Sequence, residues 1–406
     1  MNVVVTPAKL AGTVRVPASK SAAHRLLIAA ALADTPTAVR VSALNRDIEA
    51  TLNCLAALGA GIRRDGDVIE VTPIPTKYEA DAELDCGESG STLRFLLPVA
   101  CALGGDVRVV GHGRLPLRPN APLTDALRAH GARIDNDLLP MRLSGPISGG
   151  RWTLPGDVSS QYVTGLMFAL PLLDEDSAIA LTTPLQSASY VAMTLEVLRR
   201  FGIAVEPAEG SWQIPGRQRY HSPGTVEAEG DWSAAAFWHA ANALGAEIRV
   251  EGLDPASAQG DRAVVRLLGR ARIDAGDVPD LVPALAVAAA SLPQVTQITG
   301  AARLRLKESD RLATTAAMLE ALGHRAEITE DGLVIEGGSP EPCDAETRTV
   351  DGANDHRIVM AAAVAAATAD RPVRILGAEA VDKSYPDFFR DYASLGGRVH
   401  VEHTGQ

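Results

Sequence analysis

One pattern recurs six times along this chain: a short strand, a turn rich in Gly, Ser, Asp or Asn, then a strongly apolar helix. The copies fall at residues 13–33, 82–103, 152–173, 225–244, 273–292 and 349–368. Such repetition restricts the architecture severely, because each unit buries its apolar face only by stacking on its neighbours. A second unit lies between copies: an amphipathic helix, a glycine break and a β-hairpin, at residues 48–72, 123–143, 193–214 and 312–335. Its helices stop at Gly59, Gly131, Gly202 and Gly323, the residue type suited to a left-handed helix terminator. Hairpin turns follow, Asp331-Gly332 being the plainest. The expected fold is α/β, with six βαβαββ units of roughly 70 residues. The fifth is expected to be shortened, and three units would form each of two similar domains.

Composition narrows the class. A hydrophobic share of 46% over 406 residues suffices for large cores, and the length favours two or three domains. No run reaches the roughly 18–20 apolar residues that span a bilayer, and residues 281–292 and 358–369 read as buried helices. Residues 1–6 lack a basic region followed by an apolar one, so no secretory signal is expected. Cys54, Cys86, Cys101 and Cys343 show no Cys-x-x-Cys spacing, which argues against a disulfide framework and against structural zinc. A cytoplasmic protein is expected, with no membrane partner and nothing that calls for an obligate oligomer, hence a monomer. The net charge of −12 disfavours a nucleic-acid surface. Only five of the 38 basic residues are lysine (Lys9, Lys20, Lys77, Lys307 and Lys383), the rest being arginine. Three of the five sit inside polar motifs, which suggests local anion binding or proton chemistry.

Each polar turn opens a helix and so offers unpaired backbone N–H groups at the positive end of a dipole. If two domains face each other, six such turns converge on a cleft suited to phosphates and carboxylates. Capping accounts for Ser, Thr, Asp and Asn at these places, but not for the Lys, Arg and His beside them. In Pro17-Ala18-Ser19-Lys20-Ser21-Ala22-Ala23-His24-Arg25, Lys20 and Ser21 start a helix and Arg25 follows a turn later, a cluster fit for an oxyanion or else plain surface charge. Leu306-Lys307-Glu308-Ser309-Asp310-Arg311 sets a Glu beside a Lys, a candidate proton donor or a solvated capping segment. Asn354-Asp355-His356-Arg357 is similar, and Ser159-Ser160-Gln161 supplies neutral donors and acceptors. Asp280 enters a very apolar helix, where partial burial is expected to raise its pKa toward the general-base range. The nine histidines form no His-x-x-x-His pair, and neither a dinucleotide fingerprint nor a Gly-x-x-x-x-Gly-Lys phosphate loop occurs.

With these islands the sequence resembles the EPSP synthase family over nearly its whole length. The matching motifs are Pro17-Ala18-Ser19-Lys20-Ser21, Ser89-Gly90-Ser91-Thr92-Leu93-Arg94, Arg118-Pro119, Ser159-Ser160-Gln161, Ser187-Ala188-Ser189-Tyr190, Val278-Pro279-Asp280, Leu306–Arg311, Asn354–Arg357 and Lys383, in the family's order. The resemblance implies a two-domain inside-out α/β barrel, the enolpyruvyl transferase fold, with residues 1–17 and 229–406 in one domain, 18–228 in the other, and the active site in the cleft between them. It implies transfer of enolpyruvyl from phosphoenolpyruvate to shikimate 3-phosphate, with no metal or organic cofactor. Lys20, Ser21, Arg25, Ser159, Ser160, Gln161, Ser187, Tyr190, Asp280 and Lys307 would hold shikimate 3-phosphate. Lys20, Gly90, Arg118, Gln161, Arg311, Arg357 and Lys383 would hold phosphoenolpyruvate. Asp280 would act as base, Glu308 as acid, and Lys20 would serve both substrates. Three positions depart from the family's usual residues: Glu88 for Asn, Ser91 for Thr, and Arg303 where some relatives have Asn.

Two other readings fit less well. The related transferase acting on UDP-N-acetylglucosamine would resemble a chain with a Lys-Asn pair and a loop cysteine, whereas here the pair is Lys20-Ser21 and residues 111–120 hold no cysteine. A non-catalytic repeat protein such as a sliding clamp would carry a Lys- and Arg-rich helical face, whereas these helices are apolar.

Overall fold

The computed structural model describes residues 1–75 and 81–402; Lys77 lies outside the described residues. The chain divides into two compact units, residues 1–17 with 229–406, and residues 18–228.

In residues 18–228 the helices are α1 (Lys20–Ala31), α2 (Arg46–Ala57), α3 (Gly90–Ala102), α4 (Ala121–Ala129), α5 (Ser160–Ala169) and α6 (Ala188–Arg200). The apolar helices of the repeat, α1, α3 and α5, are buried on nearly every face, while α2, α4 and α6 keep one polar side. Helices α3 and α5 pack backbone to backbone through Gly165, where a Cβ would stand 2.2 Å from the carbonyl oxygen of Arg94. Any side chain there would push the pair apart.

The other unit has α7 (Trp232–Ala243), the short α8 (Val264–Leu267), α9 (Val282–Ala290), α10 (Arg311–Ala321), α11 (His356–Ala366) and α12 (Phe388–Ser394). Here α7, α9 and α11 pack on one another. Every residue of α9 is buried, as an all-apolar sequence demands.

The sheets repeat one topology. Strands Ala82–Asp85 and Asp106–Val110 run parallel, and Met141–Ser144 and then Arg133–Ile134 add antiparallel. The same order holds for Gly150–Leu154, Ser177–Leu181, Ser211–Ile214 and Glu206–Ala208, and for Arg272–Asp274, Val295–Thr299, Leu333–Glu336 and Arg325–Ile328. The last repeat, Arg348–Asp351, Val373–Leu376 and Arg398–Glu402, is completed by the N-terminal strand Asn2–Thr6. All four expected helix-ending glycines have positive φ, from 77° at Gly202 to 104° at Gly131. Among the described residues no helix is long and apolar enough to cross a membrane.

One expectation needs correction. The shortened unit is the fourth, not the fifth: Arg272–Asp274 opens a complete four-stranded sheet, whereas α7 is followed only by Glu247–Glu251 and the one-turn α8. The strands that precede α1 and α7 are exchanged between sheets. Ala11–Arg15 leads into α1 along the chain but pairs with Glu247–Glu251, beyond α7. Thr225–Glu227 leads into α7 but pairs with Thr37–Arg40, beyond α1. Local pattern sees only a strand before each helix; the hydrogen-bonded partner is chosen by packing.

Candidate active site

The six polar turns are the place to start. At five of them a side chain caps the helix: Ser19 for α1, Ser89 for α3, Ser159 for α5, Asp231 for α7 and Asp355 for α11. The fifth turn breaks the pattern. A single 3-10 turn, Pro279–Leu281, precedes α9, and no side chain caps that helix. Asp280 is therefore a carboxylate at a helix start that is used for something else.

What it meets is cationic. Arg311 Nη1 donates to its Oδ1 at 2.9 Å, Lys307 Nζ stands 3.6 Å from the same oxygen, and Arg357 Nη2 donates to Oδ2 at 3.1 Å. Arg311, at the start of α10, is only 1% exposed and joins three carboxylates. Besides Asp280 it bonds Glu308 Oε2 at 2.5 Å and Asp355 through Nε at 2.8 Å. Ser309 donates to Asp355 as well, and Lys383 donates to the carbonyl of Asn354 at 2.7 Å. Asn354 and Ala353 hold positive φ values of 52° and 51°, strain of about 1 kcal/mol or more each in non-glycine residues.

Asp280 overturns the expectation of a raised pKa. Burial does push it up, but Arg357, Lys307 and Arg311 outweigh burial and hold it well below the usual carboxylate range. The raised acid is a different one. Asp261, which accepts a hydrogen bond from Ser233 Oγ, is lifted to about 7 by burial first and then by Asp280, against Arg357 and Ser233. Its folded pKa lies above its unfolded value, so the native state binds the extra proton and stability falls as pH rises from about 4 to about 7. Asp261→Asn is expected to flatten that slope, on the order of 1 kcal/mol per pH unit. Denaturant midpoints between pH 4 and 8 check this; an unchanged slope would mean Asp261 is ionised throughout.

In residues 18–228, Lys20 Nζ pairs with Asp47 Oδ2 at 2.8 Å, at the starts of α1 and α2. Arg25 turns inward rather than lining up with Lys20. Its Nε donates to Thr194, Nη1 to the Ser21 carbonyl at 2.7 Å, and Nη2 to Thr164 and the Tyr190 carbonyl. It braces Ser21 and Tyr190 from behind, and burial lowers its pKa to about 10. Ser187 sits at φ 57°, another strained non-glycine residue beside Tyr190. Gln161 donates to Ser91 Oγ at 3.0 Å and accepts from Arg94 Nη1 at 2.7 Å. Arg94 also reaches Asn120 and the Pro119 carbonyl, fixing the segment that carries Arg118.

Arg118 is the outlier. Its side chain is buried, its Nε has no acceptor, and no carboxylate pairs with it among the described residues. An uncompensated buried guanidinium costs several kcal/mol unless an anion arrives. It lies flat against Gly90, whose Cβ, if present, would be 2.9 Å from Arg118 Nη1. Gly90 does not have positive φ, so close approach, not backbone conformation, explains the glycine. Among the described residues no three His, Cys, Asp or Glu side chains gather to hold a metal ion.

The sequence profile of EPSP synthase (3-phosphoshikimate 1-carboxyvinyltransferase) matches residues 4–278 and 270–392. The chain belongs to the EPSP synthase family. It is 38% identical to the 3-phosphoshikimate 1-carboxyvinyltransferase of Clostridium acetobutylicum, covering all of both chains. It is 39% identical to that of Halobacterium salinarum, covering 98% of this chain and 99% of the other. In structure it is similar to the EPSP synthase of Acinetobacter baumannii, with a TM-score of 0.81, 24% identity and coverage of 98% and 100%. It is also similar to the enolpyruvyl transferase NikO of Streptomyces tendae, with a TM-score of 0.78, 19% identity and coverage of 98% of each chain. The fold is therefore the enolpyruvyl transferase fold, built from six sheet-and-helix units.

Within this EPSP synthase family fold the structure gathers the sequence-named residues into two groups. Asp280, Lys307, Glu308 and Arg311 form one, with Arg357 beside Asp280 and Lys383 tied to the Asn354 turn. Gln161, Gly90 and Arg118 join the first turns of α3 and α5 in the other, while Ser159 and Ser160 open α5 and Lys20 and Ser21 open α1. Sequence reasoning gave no site role to four contributors: Asp47, Arg94, Asp261 and Asp355. Asp355 stood inside a quoted motif, as did Arg94; Asp47 and Asp261 carry no local signal, since a lone Asp in a polar segment reads as a cap. Arg303 donates to the Gly276 carbonyl at 2.8 Å.

Proposed function

We propose that the chain transfers the enolpyruvyl group of phosphoenolpyruvate to the 5-hydroxyl of shikimate 3-phosphate and releases phosphate, a step of the shikimate pathway to aromatic amino acids. The observation that carries this reading is the Asp280 cluster: a helix-start carboxylate that caps nothing, met by three cations, with Glu308 on the same arginine. Residues of both units would act on one substrate pair, as the resemblance implies.

The chemistry follows from the charges. Without ligand, Asp280 is held anionic by Arg311, Arg357 and Lys307 and is a weak base. Anionic substrate groups compete for those cations, so the proton affinity of Asp280 rises once the site is filled. Asp280 then accepts the proton of the attacking 5-hydroxyl as its oxygen bonds to the central carbon of phosphoenolpyruvate. Glu308 delivers a proton to the methylene carbon, giving a tetrahedral adduct. Loss of phosphate, with return of a proton from the methyl group, restores the double bond on the new ether. Lys20, Arg118, Arg311, Arg357 and Lys383 stabilise the anionic adduct, while two carboxylates in unlike surroundings divide base and acid work.

Release of phosphate measured with each substrate alone and with both tests the proposal. Release only with both is expected; release with phosphoenolpyruvate and UDP-N-acetylglucosamine instead would overturn it.

Gly90 provides a sharper check on the phosphoenolpyruvate side. A methyl at residue 90 must displace the Arg118 guanidinium, a flexible side-chain end, by a few tenths of an ångström. Gly90→Ala should raise KM for phosphoenolpyruvate about tenfold, or about 1.4 kcal/mol, with KM for shikimate 3-phosphate nearly unchanged. Inhibition by glyphosate, which in this family occupies the phosphoenolpyruvate site, should weaken more strongly. Equal inhibition of both proteins would exclude Gly90 and Arg118 from that subsite.

A further inference from the structure

His24 plays no part in the chemistry above, yet it is fully buried in α1 between Lys20 and Arg25. Its Nδ1 lies 2.7 Å from Thr51 Oγ1 of α2, which lies 2.7 Å from Thr92 Oγ1 of α3. Thr92 Oγ1 donates to Ser89 Oγ, the cap of α3, at 2.8 Å, and lies 3.4 Å from the carbonyl of Asp47. Ser89 Oγ also accepts from the backbone N–H of Thr92 at 3.2 Å. His24 Nε2 is buried with no partner among the described residues.

The chain of hydrogens has one consistent direction. Each hydroxyl has a single proton to give. If Thr92 gives its proton to Ser89, Thr51 must give its own to Thr92, and His24 must donate from Nδ1 to Thr51. That tautomer leaves Nε2 as a bare acceptor, which matches its buried and unpartnered state. Protonation there would bury a third cation next to Lys20 and Arg25. Burial and these two charges hold the His24 pKa well below its ordinary value, so the relay keeps this direction across the neutral range.

The relay joins three helix starts. Lys20 is the first residue of α1, Asp47 lies in the first turn of α2, and Gly90 is the first residue of α3. A short hydroxyl contact has little angular freedom, and anion sites lose steeply when displaced by fractions of an ångström. We propose that His24 is a positioning residue for the anion site: through Thr51, Thr92 and Ser89 it sets the first turn of α3, and with it Gly90 and Arg118, against the Lys20–Asp47 pair. The setting for this role is the enolpyruvyl transfer proposed above.

The test compares two variants. His24→Asn places an N–H where Nδ1 stood and preserves the relay, whereas His24→Leu removes it. His24→Leu is expected to raise KM for phosphoenolpyruvate about tenfold and to leave KM for shikimate 3-phosphate within about twofold. His24→Asn should stay near wild type. Amide hydrogen exchange at residues 89–93 reads the position of the turn without any substrate. It should quicken in His24→Leu and in Thr51→Val, not in His24→Asn, and the two valine variants Thr51→Val and Thr92→Val should be non-additive when combined. Equal behaviour of the Leu and Asn variants, or a lower Tm with unchanged exchange at residues 89–93, would overturn the proposal. If exchange responds as expected while the wild type releases no phosphate, the relay stands and the enolpyruvyl reading fails.

Discussion

Arg311→Met is expected to abolish turnover and to destabilise the protein by about 3–5 kcal/mol, the range for breaking a buried ion pair from one side. Arg311 is 1% exposed and bonds Asp280, Glu308 and Asp355. Methionine matches its length and apolar stem but leaves three carboxylates crowded together with less compensation. One of the three cations that hold the pKa of Asp280 down is then gone, so Asp280 binds a proton more readily than in the wild type. Between pH 7 and 5 the pH dependence should then be steeper than the gain that protonation of Asp261 already gives the wild type. In the wild type the depressed pKa of Asp280 contributes stability above about pH 4, lost only as pH falls further. In Arg311→Met, stability should recover more as pH falls from 7 toward 5 than Asp261 alone accounts for, because protonation relieves the repulsion. Denaturant unfolding at several pH values, alongside phosphate release, measures both effects. Arg311→Lys should keep part of the stability and little of the activity, since an ammonium cannot fork between three acceptors. A loss below about 1 kcal/mol would mean that Arg311 does not compensate the cluster.

Lys20→Met carries the second large effect, on catalysis more than on stability. Lys20 opens α1 and is held by Asp47 at 2.8 Å, mostly shielded from solvent. A shielded ammonium facing charge that develops in the adduct is expected to contribute on the order of 4 kcal/mol, so kcat/KM should fall about a thousandfold. Lys9 makes a comparison within the same chain. It pairs with Glu247 on the surface, where both side chains are well exposed, and solvent screening leaves such pairs with little effect. Lys9→Met should therefore stay within about twofold of wild type, as should Lys77→Met. Asp47→Asn should fall between these limits, because it loosens Lys20 without removing it. Comparable activity in folded Lys20→Met and Lys9→Met would remove Lys20 from the site.

Much of this protein is decided by short-range rules. The six strand-turn-helix copies, the serine and aspartate caps and the glycine terminators depend on residues within about one turn of each other. Hence helix starts such as Lys20, Gly90, Ser160 and His356 are legible without coordinates, and the candidate site is legible to the extent that it lies on those starts. The family motifs carry the rest of the residue list, including Arg118 and Lys383, which no local rule marks.

Tertiary structure alone decides partners and charge. The strands before α1 and α7 look interchangeable, yet each pairs beyond the other's helix, because strand pairing is settled by which apolar faces stack and not by the strand's own residues. Burial alone suggests a raised pKa for Asp280; three cations from distant segments reverse it. The raised acid is Asp261, in a segment without a motif. Arg25 points inward because Thr164, Tyr190 and Thr194, far along the chain, offer it acceptors. Propensity acts between neighbours in sequence, whereas electrostatics and desolvation act between neighbours in space, and the fold creates those neighbours.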